Sequence, residues 1–275
     1  MPKREVDPDD GLQVDVVGPW ATEKHERLRK YIDAYRSARA MFLPPKGTGG
    51  AAYIDLFSGP GRSMRDDTGQ IIDGSPLVAY REALRSGTRF SDSHFNDIDL
   101  TNVDALKKRI AGLGGSANFY NEGAETAVDR VVYALNPAGL HFAFLDPYNL
   151  ENLPFSIIEK LARLPRMDML IHVSVFDLQR NLRRYLQDGR ILDAFMPGWQ
   201  SAIDPHRSDH AIRTDLLHHW LGLIRALGTT PADGIELVSA TRGQRLYWLV
   251  FVSAHALGRK LWNDIRNVNV QDRLL

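Results

Sequence analysis

The sequence predicts an α/β fold: a mostly parallel, seven-stranded sheet covered by helices, with a helical insertion and a terminal antiparallel hairpin. Three observations predict it. Short apolar runs of strand length alternate with segments of helical period as far as residue 175, the pattern of a parallel sheet covered on both faces. A glycine-rich turn follows directly on the first of these runs. Near the end, two apolar runs are joined by Thr241–Gln244 alone, a link that suits an antiparallel hairpin.

Taken in order, residues 1–18 are polar and without period, and read as a loose arm. Leu28, Tyr31, Ile32, Tyr35 and Phe42 mark a helix over 22–42, stopped by Pro44, Pro45 and the glycines that follow. AAYIDLF (51–57) is a buried strand and 62–73 a polar loop. A helix over 76–84 has Ser75 as its cap. SHFND (93–97) is the second strand, and Thr101 with Asp104 opens a helix through Leu106, Ile110 and Leu113. Residues 119–120 close a third strand, and Val128, Val131, Val132 and Leu135 give the helical spacing after it. LHFAFLD (140–146) is the fourth strand, Pro154 begins a helix carrying Ile157, Ile158, Leu161 and Leu164, and MDMLIHVSV (167–175) is the fifth strand. Residues 176–228 are helical and rich in Arg and His, with Trp199 and Trp220. Together with the link to the hairpin they form an insertion over 176–230 on the substrate side. Residues 234–240 and 245–254 pair as the hairpin, and a helix over 255–266 follows. This is the layout of the Rossmann-like class I methyltransferase fold, here a single domain over 1–275. Dehydrogenase Rossmann domains lack the terminal hairpin.

The 275 residues suffice to bury a large core, and 44% hydrophobic with 25% charged residues is ordinary for a soluble globular protein. No apolar run reaches the length of a membrane span, and the polar opening MPKREVDPDD is unlike a secretory leader. The absence of cysteine removes disulfides, thiolate metal sites and cysteine nucleophiles. A cytoplasmic protein is expected. With 34 basic and 34 acidic side chains, avid nonspecific binding to nucleic acid is disfavoured, although a local basic patch is compatible with the count.

The segment Asp55-Leu56-Phe57-Ser58-Gly59-Pro60-Gly61 carries the most chemical information. Glycines in a turn after the first strand let the backbone approach a ligand with no Cβ in the way. The dinucleotide fingerprint needs a third glycine, where Ser63 and Met64 stand, and a phosphate-binding P-loop needs Gly-Lys-Ser/Thr. In methyltransferases this loop passes beneath the methionine end of S-adenosylmethionine, so Asp55, Phe57, Gly59 and Gly61 are expected to hold that cofactor. Asp97, at the end of the second strand, is placed to accept from ribose hydroxyls. It lies 42 residues after Asp55 rather than the usual gap of about 20, the excess being the 62–86 segment. Asp146-Pro147-Tyr148 closes the fourth strand where DPPY-type motifs hold an exocyclic amine: the acid and a backbone carbonyl bind the amine and the ring stacks on the base. One proline is missing here, and Asn149 follows. Cytosine-C5 chemistry is excluded, because it needs a cysteine nucleophile.

Arg180, Arg183, Arg184 and Arg190 lie just beyond the fifth strand, with Arg180 and Arg184 one helical turn apart. They suit a phosphate or carboxylate of the acceptor, and equally a solvated face. His206, His210, His218 and His219 fit no metal-binding spacing, so no metal is expected.

As an ordered set, Trp20-x-x-x-Lys24, Tyr53-IDLFSGPG-Arg62, Asp73-Gly74-Ser75-Pro76, Phe95-x-Asp97-x-Asp99, Leu145-Asp146-Pro147-Tyr148 and Ser253-x-His255-x-x-Gly258 resemble the three-Cys-motif partner proteins, TcmP. The resemblance runs from about Trp20 to Ile265. It implies a class I methyltransferase fold and genetic pairing with a three-Cys-motif protein. Relatives carry Gly-Asp-Ala-Asn after the third strand, where the acid meets the adenine amine. Here the stretch is Gly123-Ala124-Glu125-Thr126, which displaces the acid to Glu122 or Glu125 or removes it. The expected function is S-adenosylmethionine-dependent methyl transfer to an amine-bearing acceptor, a nucleotide or nucleic acid among the options. The alternative is a catalytically weak binding subunit that works with the three-Cys-motif partner.

Overall fold

The computed structural model describes residues 3–232, 236–239 and 245–271. Its chain begins with β1 (Arg4–Val6), β2 (Gln13–Val17), α1 (Trp20–Ala34), α2 (Arg36–Ala40), β3 (Ala51–Asp55), β4 (Arg62–Arg65), β5 (Ile71–Asp73) and α3 (Ser75–Arg85). Then come β6 (Asp92–Asn96), α4 (Leu100–Gly112), β7 (Asn118–Tyr120), α5 (Ala124–Ala134), β8 (Leu140–Leu145), α6 (Phe155–Ala162) and β9 (Met167–Ser174). The last part holds α7 (Val175–Asp188), α8 (Arg190–Phe195), α9 (Asp209–Ala226), β10 (Thr230–Pro231), β11 (Glu236–Ser239), β12 (Arg245–Ser253) and α10 (Ala256–Gln271).

The main sheet runs β7-β6-β3-β8-β9-β12, with β10 and β11 both on the outer edge of β12. Strands β3, β6, β7, β8 and β9 are mutually parallel, and β12 is antiparallel to β9 and β11. This is the expected Rossmann-like, methyltransferase-type sheet, with the two residues of β10 as an added edge. The Thr241–Gln244 turn expected between the last two strands lies outside the described residues.

Alternation along each strand divides the core between the two faces. Ala52 and Ile54 of β3 enter one layer with α5, α6, α7 and α9, while Ala51 and Tyr53 enter the other with α1, α3 and α10. On β9 the odd positions Met167, Met169, Ile171 and Val173 face the first layer. Leu170 faces the second, where the polar neighbours Asp168 and His172 share its parity. Helix α1 lies across this second face: the Tyr31 hydroxyl donates to Asp168 Oδ2 at 2.6 Å, and Lys24, two turns earlier, reaches the opposite end of the sheet.

Three segments depart from the sequence reading. Residues 1–18 were expected to be a loose arm and 62–73 a loop, yet they supply β1, β2, β4 and β5 of a second, four-stranded sheet ordered β1-β2-β4-β5. The reason is ionic rather than apolar. Arg109 of α4, its side chain 4% exposed, donates to Asp10 from Nε at 2.8 Å and to Asp7 from Nη2 at 3.3 Å. Its Nη1 donates to the carbonyls of Gln13 at 3.0 Å and Pro60 at 2.6 Å. Arg62 also donates to the fully buried Asp7, at 3.0 Å, and Arg4 pairs with Asp99. The helix expected over 22–42 is interrupted at Tyr35 and becomes α1 and α2.

Arg109→Ala should therefore leave the buried Asp7 with Arg62 as its one cationic partner and strip Asp10 and the Gln13 and Pro60 carbonyls of their guanidinium donor. A loss of about 3–5 kcal/mol is expected in chemical denaturation, with amide exchange in β1 and β2 rising ahead of exchange in the main sheet.

Candidate active site

Ligands of open parallel sheets bind beyond the carboxyl ends of the strands, at the point where the order reverses. Here that point lies between β3 and β8: the chain passes from β3 outward to β6 and β7, then returns to β8 on the other side. Asp55, Asp97 and Asp146 all stand at this edge, because each ends or follows one of those strands.

The turn after β3 needs its glycines. Gly59 has φ 58° and Gly61 φ 92°, both left-handed. A Cβ on Gly61 would also stand 2.7 Å from Leu106 Cδ1. The turn is pinned from three sides. Ser58 N donates to Asn96 O at 2.9 Å, Gly59 N to Asp97 Oδ2 at 3.0 Å, and Gly74 N to Gly61 O at 2.7 Å. Asp97 Oδ1 accepts from Asp99 N at 2.8 Å, so this acid latches the turn to the end of β6. Burial pushes its carboxyl above the usual carboxylate range, against the pull of these donors.

Asp55 faces inward. It is fully buried, and its carboxylate accepts from Ser75 Oγ at 2.6 Å and Phe57 N at 3.2 Å. Desolvation raises its pKa to about 7, with the donors from Ser75 and Phe57 opposing and the nearby Asp146 adding to the rise. Phe57 packs partly buried against the first core layer. Of the two acids weighed for the position after β7, Glu125 turns away and accepts from Ser156 Oγ at 2.5 Å. Glu122 stays at the edge. Its Oε1 pairs with Arg130 at 2.9 Å, and its Oε2 is buried with no hydrogen-bond partner.

Asp146 is the centre of a polar cluster under α1. Lys24 Nζ donates to Asp146 Oδ2, and His172 Nδ1 lies 3.3 Å from Oδ1. These side chains are only 10%, 18% and 12% exposed for Lys24, Asp146 and His172. Burial works against the Asp146 charge, but the Lys24 ammonium outweighs it and holds the carboxyl below its usual range, with His172 and His25 adding to this only at the acid pH where their rings are protonated. Burial lowers both His25 and His172 to about 4, so both rings are neutral at pH 7. The Lys24 ammonium also lies 5.8 Å from the Tyr247 ring centroid, and the His172 ring is 4.5 Å from that of Tyr247. Tyr148, in contrast, is 67% exposed beside this cluster. Sequence reasoning assigned no role to Lys24 or His172. The available signals were a lysine on the buried stripe of α1 and a histidine inside an apolar strand.

Helix α7 leaves β9 at the same edge and is docked there by Asp177, whose Oδ2 accepts from Leu150 N at 3.1 Å and Tyr185 OH at 2.8 Å. Arg180 and Arg184 are exposed on it, lying over the rings of Phe176 and Tyr185 at 5.4 Å and 5.2 Å. Arg183 and Arg190 are instead tied to Asp209 and Asp188. Among the described residues no group of three or more His, Cys, Asp or Glu is arranged to hold a metal ion. A cavity of about 210 Å³, lined by Tyr35, Phe42, Asp168 and His255 among others, lies at the amino end of the strands, away from this edge.

No family model matches the chain, and no curated protein matches it. Solved structures do. A Legionella pneumophila protein of the DUF519 family model is 10% identical, with 86% of this chain and 89% of that one covered and a TM-score of 0.51, which is a likeness of fold. The O-methyltransferase from Bacillus cereus, in complex with S-adenosylhomocysteine, is 12% identical over 92% and 84% of the two chains, with a TM-score of 0.45. The N-methyltransferase NodS from Bradyrhizobium japonicum, also with S-adenosylhomocysteine, is 10% identical over 86% and 89%, with a TM-score of 0.43.

Because Asp55 titrates near 7 in the folded protein and near 3.8 when unfolded, the native state holds an extra proton between those values. Its contribution to stability falls as pH rises through that window. In Asp55→Asn this component vanishes, so the melting temperature should fall less between pH 4.5 and 7.5 than in the wild type.

Proposed function

We propose that the chain is an S-adenosylmethionine-dependent methyltransferase acting on an amine-bearing acceptor. The observation that carries this reading is the glycine turn bordered by acceptor-only groups: the latching Asp97, and Glu122 with a buried oxygen that lacks a donor. The cofactor fits that set, since its ribose hydroxyls and adenine amine are donors. Gly59, Gly61 and Phe57 would hold the methionine end, with Asp55 setting the shape of the turn from beneath. Asp97 would accept from the ribose through lone pairs that Gly59 and Asp99 leave free, and Glu122 would accept from the adenine amine. When bound, the cofactor supplies an electrophilic methyl group.

The chain's own work is then alignment. Lys24 keeps Asp146 ionised, so Asp146 is an acceptor that can orient an amine, with the exposed Tyr148 ring beside it for stacking. The neutral His172 buttresses the carboxylate without adding charge. Arg180 and Arg184, not tied to acids as Arg183 and Arg190 are, present planar forks suited to phosphate. They favour a nucleotide or nucleic acid as the acceptor.

One observation favours a second reading. Lys24 already occupies Asp146 Oδ2, as it would in a methyltransferase-like subunit that binds cofactor but turns over weakly without a three-Cys-motif partner. Transfer of labelled methyl groups, with and without such a partner, separates the two.

Calorimetry with S-adenosylhomocysteine should show saturable binding. Asp97→Ala should weaken it by tenfold or more, as expected for loss of a charge-assisted hydrogen bond of about 1.5–3 kcal/mol. Asp146→Asn should keep that affinity and lose methyl transfer. Reversing Arg180 and Arg184 to Glu should change cofactor affinity by less than about threefold, while weakening binding of a labelled single-stranded oligonucleotide and flattening its salt dependence. No binding of S-adenosylhomocysteine to folded wild type would end the cofactor reading.

A further inference from the structure

The N-terminal hairpin reaches the glycine turn. Strand β2 runs parallel to β4, with Asp15 opposite Ser63, so it lies beside the chain just as it leaves the turn. A Cβ built on Gly59 would stand 3.3 Å from Asp15 Oδ2. The face that this glycine leaves open is therefore the face that Asp15 overlooks. The hairpin holding Asp15 is firmly anchored: Arg109 binds Asp7, Asp10 and the Gln13 carbonyl, Gln13 Nε2 donates to Asn102 at 2.6 Å, and Arg4 pairs with Asp99.

Within this anchored frame, Asp15 Oδ1 is buried and has no hydrogen-bond partner. Leaving a buried carboxylate oxygen without a donor is costly, and a native structure that keeps one has a reason for it. The charged neighbours make the position worse: Asp97 and Asp99 are close, and Arg4, the cation acting on Asp15, gives its hydrogen bond to Asp99. Burial first, and Asp97 second, push the Asp15 carboxyl up to about 6. A carboxylate held rigidly against a glycine turn, short of one donor, is poised for a ligand that brings the donor.

We infer that Asp15 is a cofactor-binding residue contributed by the second sheet, accepting a hydrogen bond from a hydroxyl or ammonium of the nucleoside ligand that lies on the Gly59–Gly61 turn. The inference rests on the cofactor reading above and adds to it a wall of the pocket that residues 3–17 build. A loose arm could not supply such a wall; a strand pinned at Arg109 can. A residue that only served the fold and one that served the ligand would respond oppositely to loss of charge. If Asp15 merely steadied Arg4, removing its charge would loosen the hairpin. If it waits for a donor, removing the charge relieves repulsion with Asp97 in the free protein and costs only the bound state.

The test compares wild type with Asp15→Asn, which is isosteric, in melting temperature and in calorimetry with two probes. S-adenosylhomocysteine carries both donor types, whereas 5′-methylthioadenosine keeps the ribose hydroxyls and lacks the ammonium. The expected result is a free-protein melting temperature equal to or above that of wild type, with S-adenosylhomocysteine binding weakened about tenfold or more. Equal weakening for methylthioadenosine would assign the contact to a ribose hydroxyl, and unchanged binding of that probe would assign it to the ammonium. A lowered melting temperature with unchanged affinity would make Asp15 a structural partner of Arg4 and overturn the inference, as would no change in either. Failure of wild type to bind either probe would overturn the cofactor reading and this inference together, whereas wild-type binding that Asp15→Asn leaves intact would remove the inference alone.

Discussion

The ion pair between Lys24 and Asp146 sets the terms for the rest of the carboxyl edge. Two carboxylates, Asp55 and Asp146, end neighbouring strands at the switch point, and each raises the cost of ionising the other. The structure resolves this by giving the cation to one of them. Lys24 holds Asp146 charged, while Asp55, with neutral donors alone, is driven toward its protonated form by burial first and by the Asp146 charge as a smaller addition. Adjacent acids pushed apart in this way take different tasks: Asp55 shapes the turn, and Asp146 offers a charged acceptor. The same helix is fastened at its other end by the Tyr31–Asp168 hydrogen bond, so the cation is delivered by an element held at both ends of the sheet.

A second constraint governs the loop itself. Arg109 grips the Pro60 carbonyl within the turn and two aspartates of the N-terminal hairpin with one guanidinium. The turn and the hairpin are consequently one mechanical unit. Displacing either would leave buried charges without partners, so the geometry around Gly59 is preorganised rather than assembled on demand.

The main sheet was legible in the sequence because its strands are apolar runs that must be buried on both faces. AAYIDLF, LHFAFLD and MDMLIHVSV announce themselves in this way, and the connections between them leave little choice of order. The second sheet was not legible. REV, QVDVV, RSMR and IID are short and polar or half-exposed, and the sheet they form is tied down by pairs distant in sequence: Arg109 of α4 and Arg62 of β4 on Asp7, and Arg4 of β1 on Asp99. Asp97 and Asp146 were recognisable from their places at strand ends. Their partners were not: the helical spacing puts Lys24 on the buried stripe of α1 but does not say which acid it meets, and nothing local ties Asp15 to a glycine 44 residues later. The inward turn of Asp55 escaped notice for the same reason: its partner Ser75 is brought to it only by the return of the chain after β5.

The β4–β5 excursion has one more consequence, for the sign of the charge the site can accept. In dinucleotide-binding folds the glycine turn runs straight into a helix, whose positive dipole end receives a pyrophosphate. Here the chain leaves Gly61 into β4, and the next helix, α3, starts only at Ser75, where its first residue donates to the buried Asp55. The positive end of that helix is thus directed at an internal acid. What remains at the turn itself is a rim of carboxylates, Asp15, Asp97 and Glu122, while the next helix amino ends, those of α4 at Leu100 and α5 at Ala124, belong to the outer strands β6 and β7. A pyrophosphate laid on Gly59–Gly61 would meet those carboxylates in place of a helix end, so the same inserted strands that lengthen the path from β3 to β6 also remove the anion site that a dinucleotide-binding turn builds.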